Sequence, residues 1–276
     1  MIKLNDKAIT FTNFPNGETK VDGEQIRAFM HTAEINVVTF KFENDSDLIK
    51  LMFVKRYLDE LNTDADLVIY YMPYSRMDRS EGLSVFTLKY VSEFMNSLSF
   101  NNVTVVEPHS DVTPALLNKS YAIYPTIDMI NEVINTVGFN KHKDYLFFPD
   151  AGAQKRYGRV EGYQQLVGFK KRDFQTGQIK GLQVVGETEK VNGTKIIIVD
   201  DLCSYGGTFI MSSEKLKELG ASEIFLIVGH CENSIFKGKV FESGLIDKVF
   251  TTDTILTDEM NWENQKYKNK LHVFTI

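Results

Sequence analysis

Two hydrophobic rhythms alternate along this chain. Short runs rich in β-branched and aromatic residues stand at 37–42 (VVTFKF), 66–72 (DLVIYYM), 103–106 (VTVV), 145–150 (YLFFPD), 195–201 (KIIIVDD) and 223–230 (EIFLIVGH). Their length and composition predict buried strands. Helical spacing lies between them. In 46–62 (SDLIKLMFVKRYLDELN), Leu51, Val54, Leu58 and Leu61 share one helical face, and Ser46 is placed to cap its start. Further helices are predicted over 83–98 (LSVFTLKYVSEFMNSL) and 208–220 (TFIMSSEKLKELG), the latter stopped by Gly220. Strand and helix in alternation predict parallel strands joined by crossover helices. The same order recurs after residue 195, so the expected fold is α/β, in two halves. No linker composition marks the seam, and the strand pattern alone places it near 135–145, giving domains of 1–140 and 141–276. The stretch 169–193 mixes glycines and charges and is expected to include a β-hairpin with a mobile tip.

Composition narrows the partners. A chain of 276 residues can bury a core in each of two domains. Its formal net charge of −6 disfavours a general electrostatic grip on nucleic acid or on an anionic membrane, so neither is expected as a partner. The two cysteines, Cys203 and Cys231, are too few for a disulfide framework and suit a reduced, cytoplasmic protein. The first residues lack the basic segment and apolar core of a secretory signal. No apolar run approaches the roughly 18 residues of a membrane span.

The chemistry concentrates in 195–208 (KIIIVDDLCSYGGT). An apolar run with nothing polar before Asp200 predicts a central strand, whose carboxyl end is where open α/β sheets bind ligands. Gly206 and Gly207 let backbone N–H groups approach an anion at the start of the next helix. Carboxylates beside such a cradle accept hydrogen bonds from sugar hydroxyls or hold Mg²⁺. Acids and anion loop together suggest a phosphorylated sugar. Taken alone, the stretch also fits acids that merely end a strand before a tight turn, as in receiver-like domains and other metal sites.

The same stretch resembles the phosphoribosyl-pyrophosphate loop of type I phosphoribosyltransferases and of ribose-phosphate diphosphokinases. Five further segments, in order, resemble the diphosphokinases, which are built as two tandem phosphoribosyltransferase-like domains. FPNGE at 14–18 is similar to the family's F-S-D-G-E, which implies adenine contacts for Phe14, Asn16 and Glu18 across a subunit interface, with Asn16 in place of Asp. MPYSRMDR at 72–79 resembles a P-Y…R-Q-D-R segment, which implies ATP binding by Arg76, Met77 and Asp78, with Met77 in place of Gln. VVEPHSD at 105–111 brings His109 to the metal-nucleotide site. FFPDAGAQKR at 147–156 gives Asp150 a role with Mg²⁺ and the ribose hydroxyls, Gly152 a loop role and Arg156 the arginine role, while Ala153 replaces a glycine. GFKKR at 168–172 resembles the D-K-R-R that opens a flexible catalytic loop and makes Lys170 and Arg172 the catalytic pair. Around the phosphate, the resemblance assigns Asp200, Asp201, Ser204, Tyr205, Gly206, Gly207 and Thr208.

The implied reaction transfers the pyrophosphoryl group of ATP to the anomeric hydroxyl of ribose 5-phosphate, with Mg²⁺ at His109 and Asp150, and releases AMP. The implied assembly is a homo-oligomer of at least two subunits. The loop departs most from the family where Ser204 and Tyr205 replace an Asp-Thr pair. That exchange admits an acceptor substituted at the 5-phosphate, such as ADP-ribose. Two other readings remain: a phosphoribosyltransferase, and a non-catalytic regulatory relative that keeps the fold.

Overall fold

The computed structural model describes residues 1–172, 179–257 and 267–276, with backbone alone at 171, 172, 179 and 180. The chain forms two compact units, Met1–Ile123 and Tyr124–Ile276. The division falls earlier than the expected seam for a physical reason given below.

The first unit contains β1 (Ile2–Leu4), β2 (Lys7–Ala8), β3 (Phe11–Asn13), β4 (Thr19–Val21), α1 (Gly23–Phe29), β5 (Asn36–Phe40), α2 (Ser46–Glu60), β6 (Ala65–Ile69), α3 (Thr87–Ser97), β7 (Val103–Val106), α4 (Val112–Leu116) and β8 (Ser120–Ile123). Its main sheet runs β2-β1-β5-β6-β7-β8. From β5 to β8 the pairing is parallel, and β1 joins antiparallel at β5. Leu51, Val54 and Leu58 of α2 are fully buried against Val38, Phe40, Leu67 and Ile69, each contributing about 1.5–3 kcal/mol by burial. The start of α2 differs from expectation. Ser46 is the first helical residue, and its N–H and hydroxyl donate to Asn44. Asp47 instead accepts from the N–H groups of Glu43 and Asn44. The helix thus starts without a hydrogen bond from an N-cap side chain, and Asp47 ties down the turn that precedes it. Likewise α3 starts at Thr87, because Leu83 and Val85 before it are exposed and pack on nothing that would hold a helical turn.

The second unit contains α5 (Pro125–Thr136), β9 (Tyr145–Phe148), α6 (Ala151–Tyr157), β10 (Gln164–Arg172), β11 (Ile179–Val185), β12 (Lys195–Cys203), α7 (Gly207–Glu218), β13 (Glu223–Cys231), β14 (Lys248–Thr252) and β15 (Leu271–Phe274). Its sheet runs β11-β10-β9-β12-β13-β14-β15, parallel except for the β10–β11 hairpin. That hairpin meets the expectation for 169–193, and its tip lies outside the described residues. Helix α5 explains the early division. Pro125 opens it, and Met129, Ile130, Val133 and Ile134 pack on Leu146, Phe148, Ile197 and Val199 of the second sheet. The helix is thus part of the second core. On the opposite face, Phe209 and Leu216 of α7 pack on Ile196, Ile198, Ile224 and Leu226. β12 is covered on both sides, and Ile196 to Val199 are fully buried, as expected for a central parallel strand.

Candidate functional site

Strand register brings the acids of the second unit together. β9 pairs with β12 only up to Phe147 opposite Ile198, so the chain leaves β9 at Pro149 while β12 continues beside β13 to Cys203. Asp150 and the pair Asp200–Asp201 consequently meet at the carboxyl edge of the sheet, as expected. Asp201 is 5% exposed, and its carboxylate lies 3.1 Å from Arg156 Nη1. Burial disfavours charge on this guanidinium, but Asp201, helped by Tyr157 and Asp200, holds it protonated more firmly than a free arginine. Asp200 has the opposite fate. Burial, then the neighbouring Asp201 and Asp150 carboxylates, raise its proton affinity well above the ordinary carboxylate range, although it accepts from the Asp201 N–H at 2.9 Å. Arg156 thus faces Asp201 and Asp200, and Asp150 acts on Asp200.

Asp150 also caps α6. Its Oδ1 accepts from the N–H groups of Gly152 and Ala153, both at 3.0 Å. Gly152 therefore sits in the first helical turn, where its backbone holds Asp150. Arg156 stands in the last turn of the same helix, so α6 carries both the acid and the arginine of its segment.

The phosphate loop follows β12 directly. Gly206 adopts φ 80° as the residue before α7, and Gly207 begins the helix. A side chain at Gly206 would also be blocked, since an added Cβ would lie 2.2 Å from Val240 Cγ2. Beneath the loop, Gly238 passes so close that its Cβ would lie 2.0 Å from the Tyr205 carbonyl oxygen. Two residues near 240 therefore fix the loop backbone, and neither carries a signal in the sequence beyond one glycine. Ser204 is partly buried, the Gly207 Cα faces open space, and the Tyr205 ring is 59% exposed. Thr208 accepts at its carbonyl from the Ser212 hydroxyl.

Lys170 reaches the same edge by another route. β10 pairs with β9 only to Val167 opposite Phe148, and beyond it keeps β11 alone. Lys170, three positions past Val167, stands roughly 10 Å farther along the strand direction. Gly168 permits the passage, for a Cβ there would come within 2.7 Å of the Pro149 carbonyl. Arg172 continues this strand as backbone, opposite Ile179.

The first unit carries the remaining assigned residues, on loops. Phe14, Asn16 and Glu18 occupy the exposed tip of the β3–β4 hairpin. There the Asn16 amide donates to the Glu18 carboxylate at 2.9 Å, and Gly17 takes φ 90°. Arg76, Met77 and Asp78 follow β6, and His109 follows β7. Because β6 and β7 are adjacent and parallel, the two segments leave the sheet at one edge. Tyr74, at φ 62°, donates its hydroxyl to Asp45 from the end of β5's loop, a contact that raises the phenol's proton affinity. Arg79 pairs with Glu81 at 2.6 Å. The two residues expected at a metal, His109 and Asp150, belong one to each unit.

The second unit's donors suit Mg²⁺. Asp201 is matched by Arg156, while Asp150 and Asp200 offer the oxygen ligands that Mg²⁺ prefers. Among the described residues no group of three or more His, Cys, Asp or Glu side chains forms a protein cage for a metal. The acids therefore fit an ion shared with phosphate oxygens. No helix among the described residues is long and apolar enough to cross a membrane.

Known proteins share this organisation. Residues 172–272 match the phosphoribosyl synthetase-associated domain. The ribose-phosphate pyrophosphokinase of Sulfurisphaera tokodaii is 27% identical over 89% of this chain and 84% of its own. That of Pyrococcus abyssi is 28% identical over 91% and 85%. The crystal structure of phosphoribosylpyrophosphate synthetase from Mycobacterium smegmatis superposes with a TM-score of 0.73 at 19% identity, covering 98% of this chain and 86% of that one. Six motifs in order, two mainly parallel sheets flanked by helices and similarity along most of its length liken the chain to the ribose-phosphate pyrophosphokinases, and it shares the fold of phosphoribosylpyrophosphate synthetase.

Proposed function

We propose that the chain transfers the terminal pyrophosphoryl group of ATP to the anomeric hydroxyl of a ribose 5-phosphate unit and releases AMP. One observation carries this reading: a partly buried acid pair and a glycine-started helix share one sheet edge, in a chain related along most of its length to ribose-phosphate pyrophosphokinases. The amides of residues 206–208 hold the 5-phosphate. Asp200 and Asp201 accept from ribose hydroxyls, with Arg156 paired to Asp201. The anomeric oxygen attacks the β-phosphorus, its proton is lost, and the bond from that phosphorus to the α-β bridging oxygen breaks as AMP leaves. Such transfer depends chiefly on in-line positioning and charge neutralisation. Lys170 and Arg172 close over the transferred group and exclude water. Phe14, Asn16, Glu18, Arg76, Met77, Asp78 and His109 serve ATP. Asp150 and His109 would each offer a ligand to Mg²⁺, which would neutralise phosphate charge when bound. The working assembly is at least a dimer, and light scattering that finds a fully active monomer overturns that part.

A second acceptor is favoured by Tyr205. Its exposed ring stands beside the loop where the family has a small hydroxyl residue, which suits a ribose whose 5-phosphate carries a further group, as in ADP-ribose. Mass spectrometry of products after Mg-ATP is mixed with ribose 5-phosphate or ADP-ribose tests both readings. AMP with a diphosphorylated acceptor is expected. Formation of a nucleotide and pyrophosphate only from phosphoribosyl pyrophosphate and a free base, with no AMP from ATP, indicates a phosphoribosyltransferase, and no turnover with any ribose 5-phosphate compound indicates a regulatory relative.

A further inference from the structure

The turn after β13 has two sides. One supports the phosphate loop through Gly238 against Tyr205 and Val240 against Gly206. The other is aromatic. Phe236, Phe241 and Tyr267 form a cluster with ring centroids 4.9–5.7 Å apart. Together with Gly238, Glu242 and Lys270 they line a cavity of about 120 Å³. Phe241 is buried, whereas Phe236 and Tyr267 are only partly covered. The Lys270 ammonium donates to the Phe241 carbonyl at 2.6 Å and so braces the wall. Glu242 is exposed and brings a hydrogen-bond acceptor. Since Gly238 both lines the cavity and touches Tyr205, cavity and phosphate loop share a wall.

We propose that this cavity is a subsite for a planar, amino-bearing heteroaromatic ring, a nucleobase, carried by the acceptor through a diphosphate on its ribose 5-phosphate. The proposal rests on the second acceptor reading given above. Its volume is a fraction of the several hundred Å³ that hold a whole drug-sized ligand, which suits one ring system of a larger molecule. Aromatic walls stack any base, and a carboxylate at the cavity selects a ring with an exocyclic amine over one with a carbonyl. Lys270 is engaged with the backbone, so the cavity is better matched to an uncharged ring than to another phosphate.

Calorimetric titration of the full chain tests this with two probes, ADP-ribose and ribose 5-phosphate. Phe236→Ala is expected to weaken ADP-ribose binding at least tenfold, about what the loss of one base-stacking surface removes, and to leave ribose 5-phosphate within about twofold. A thermal melt accompanies each titration. Should Phe236→Ala fail to fold, the exposed Glu242→Gln decides: it is expected to weaken ADP-ribose severalfold and to leave inosine-diphosphate-ribose unchanged. Absence of ADP-ribose binding by the wild type overturns the proposal, as does equal weakening of both probes or of neither. Pyrophosphoryl transfer to ribose 5-phosphate is assayed separately and survives any of these results.

Discussion

The two units place their assigned residues on unlike ground. In the second, the acids extend a strand buried on both faces, and each is tied to something: Asp150 to its helix, Asp201 to Arg156, Asp200 to its neighbours. In the first, the assigned side chains ride on turns, with Phe14 51% exposed and Asn16 bound only to a residue two positions away. The buried set is rigid because removing any member leaves another uncompensated. The exposed set depends on short-range contacts and is expected to tolerate exchange.

The comparison breaks most visibly in turnover. Lys170→Ala is expected to lower kcat by about 10²–10³, measured as AMP release, with the circular-dichroism spectrum unchanged. A near-normal rate would remove Lys170 from catalysis. In stability the largest effect is expected from Asp201→Ala. It strands the buried Arg156 charge and should cost about 3 kcal/mol in denaturant titration, while Asn16→Ala at the hairpin tip stays within about 0.5 kcal/mol. Equal losses would mean that the two sites are not built differently. Gly206→Ala should destabilise by about 1–3 kcal/mol, through left-handed backbone and collision with Val240. Gly207→Ala, facing open space, should be close to neutral.

The smallest effect is one of sign with pH. In chelated buffer Asp200, whose proton affinity is raised in the fold, withdraws stability as pH rises from the unfolded carboxylate range through its folded value. Asp200→Asn should therefore gain stability relative to wild type at pH 8 more than at pH 4. Asp47 is the opposite case. Burial works against its charge, but Lys50 and the N–H groups of Asn44 and Glu43 outweigh that and lower its proton affinity. Its stabilisation is present above the unfolded carboxylate range and fades as pH falls, so Asp47→Asn should lose most near neutrality. Thermal melts at the two pH values check both signs.

What the sequence shows follows the same divide. Strong apolar runs placed β5, β6, β7, β9, β12 and β13, whereas β10 and β11 carry charges and glycines and are legible only as a hairpin within a loop-like stretch. The glycine turn before α7 was legible because φ near 80° at Gly206 demands a residue type that sequence displays. Less was visible where contacts are distant. Arg156 was readable as an arginine of the site, but its pairing with Asp201 joins two segments that only the sheet brings together. Helix α5 escaped notice although Met129, Ile130, Val133 and Ile134 have helical spacing, since polar residues interrupt the stripe. The props at Gly238 and Val240 left no trace, because support from beneath requires shape and not a motif.

Those props have an evolutionary consequence. With Gly238 against the Tyr205 carbonyl and Val240 against Gly206, the peptide geometry at position 205 is set from below, while its side chain projects outward. Identity at 205 is thereby uncoupled from the backbone geometry of the loop. The residue at 205 can therefore be exchanged, one substitution at a time, without rebuilding the loop backbone.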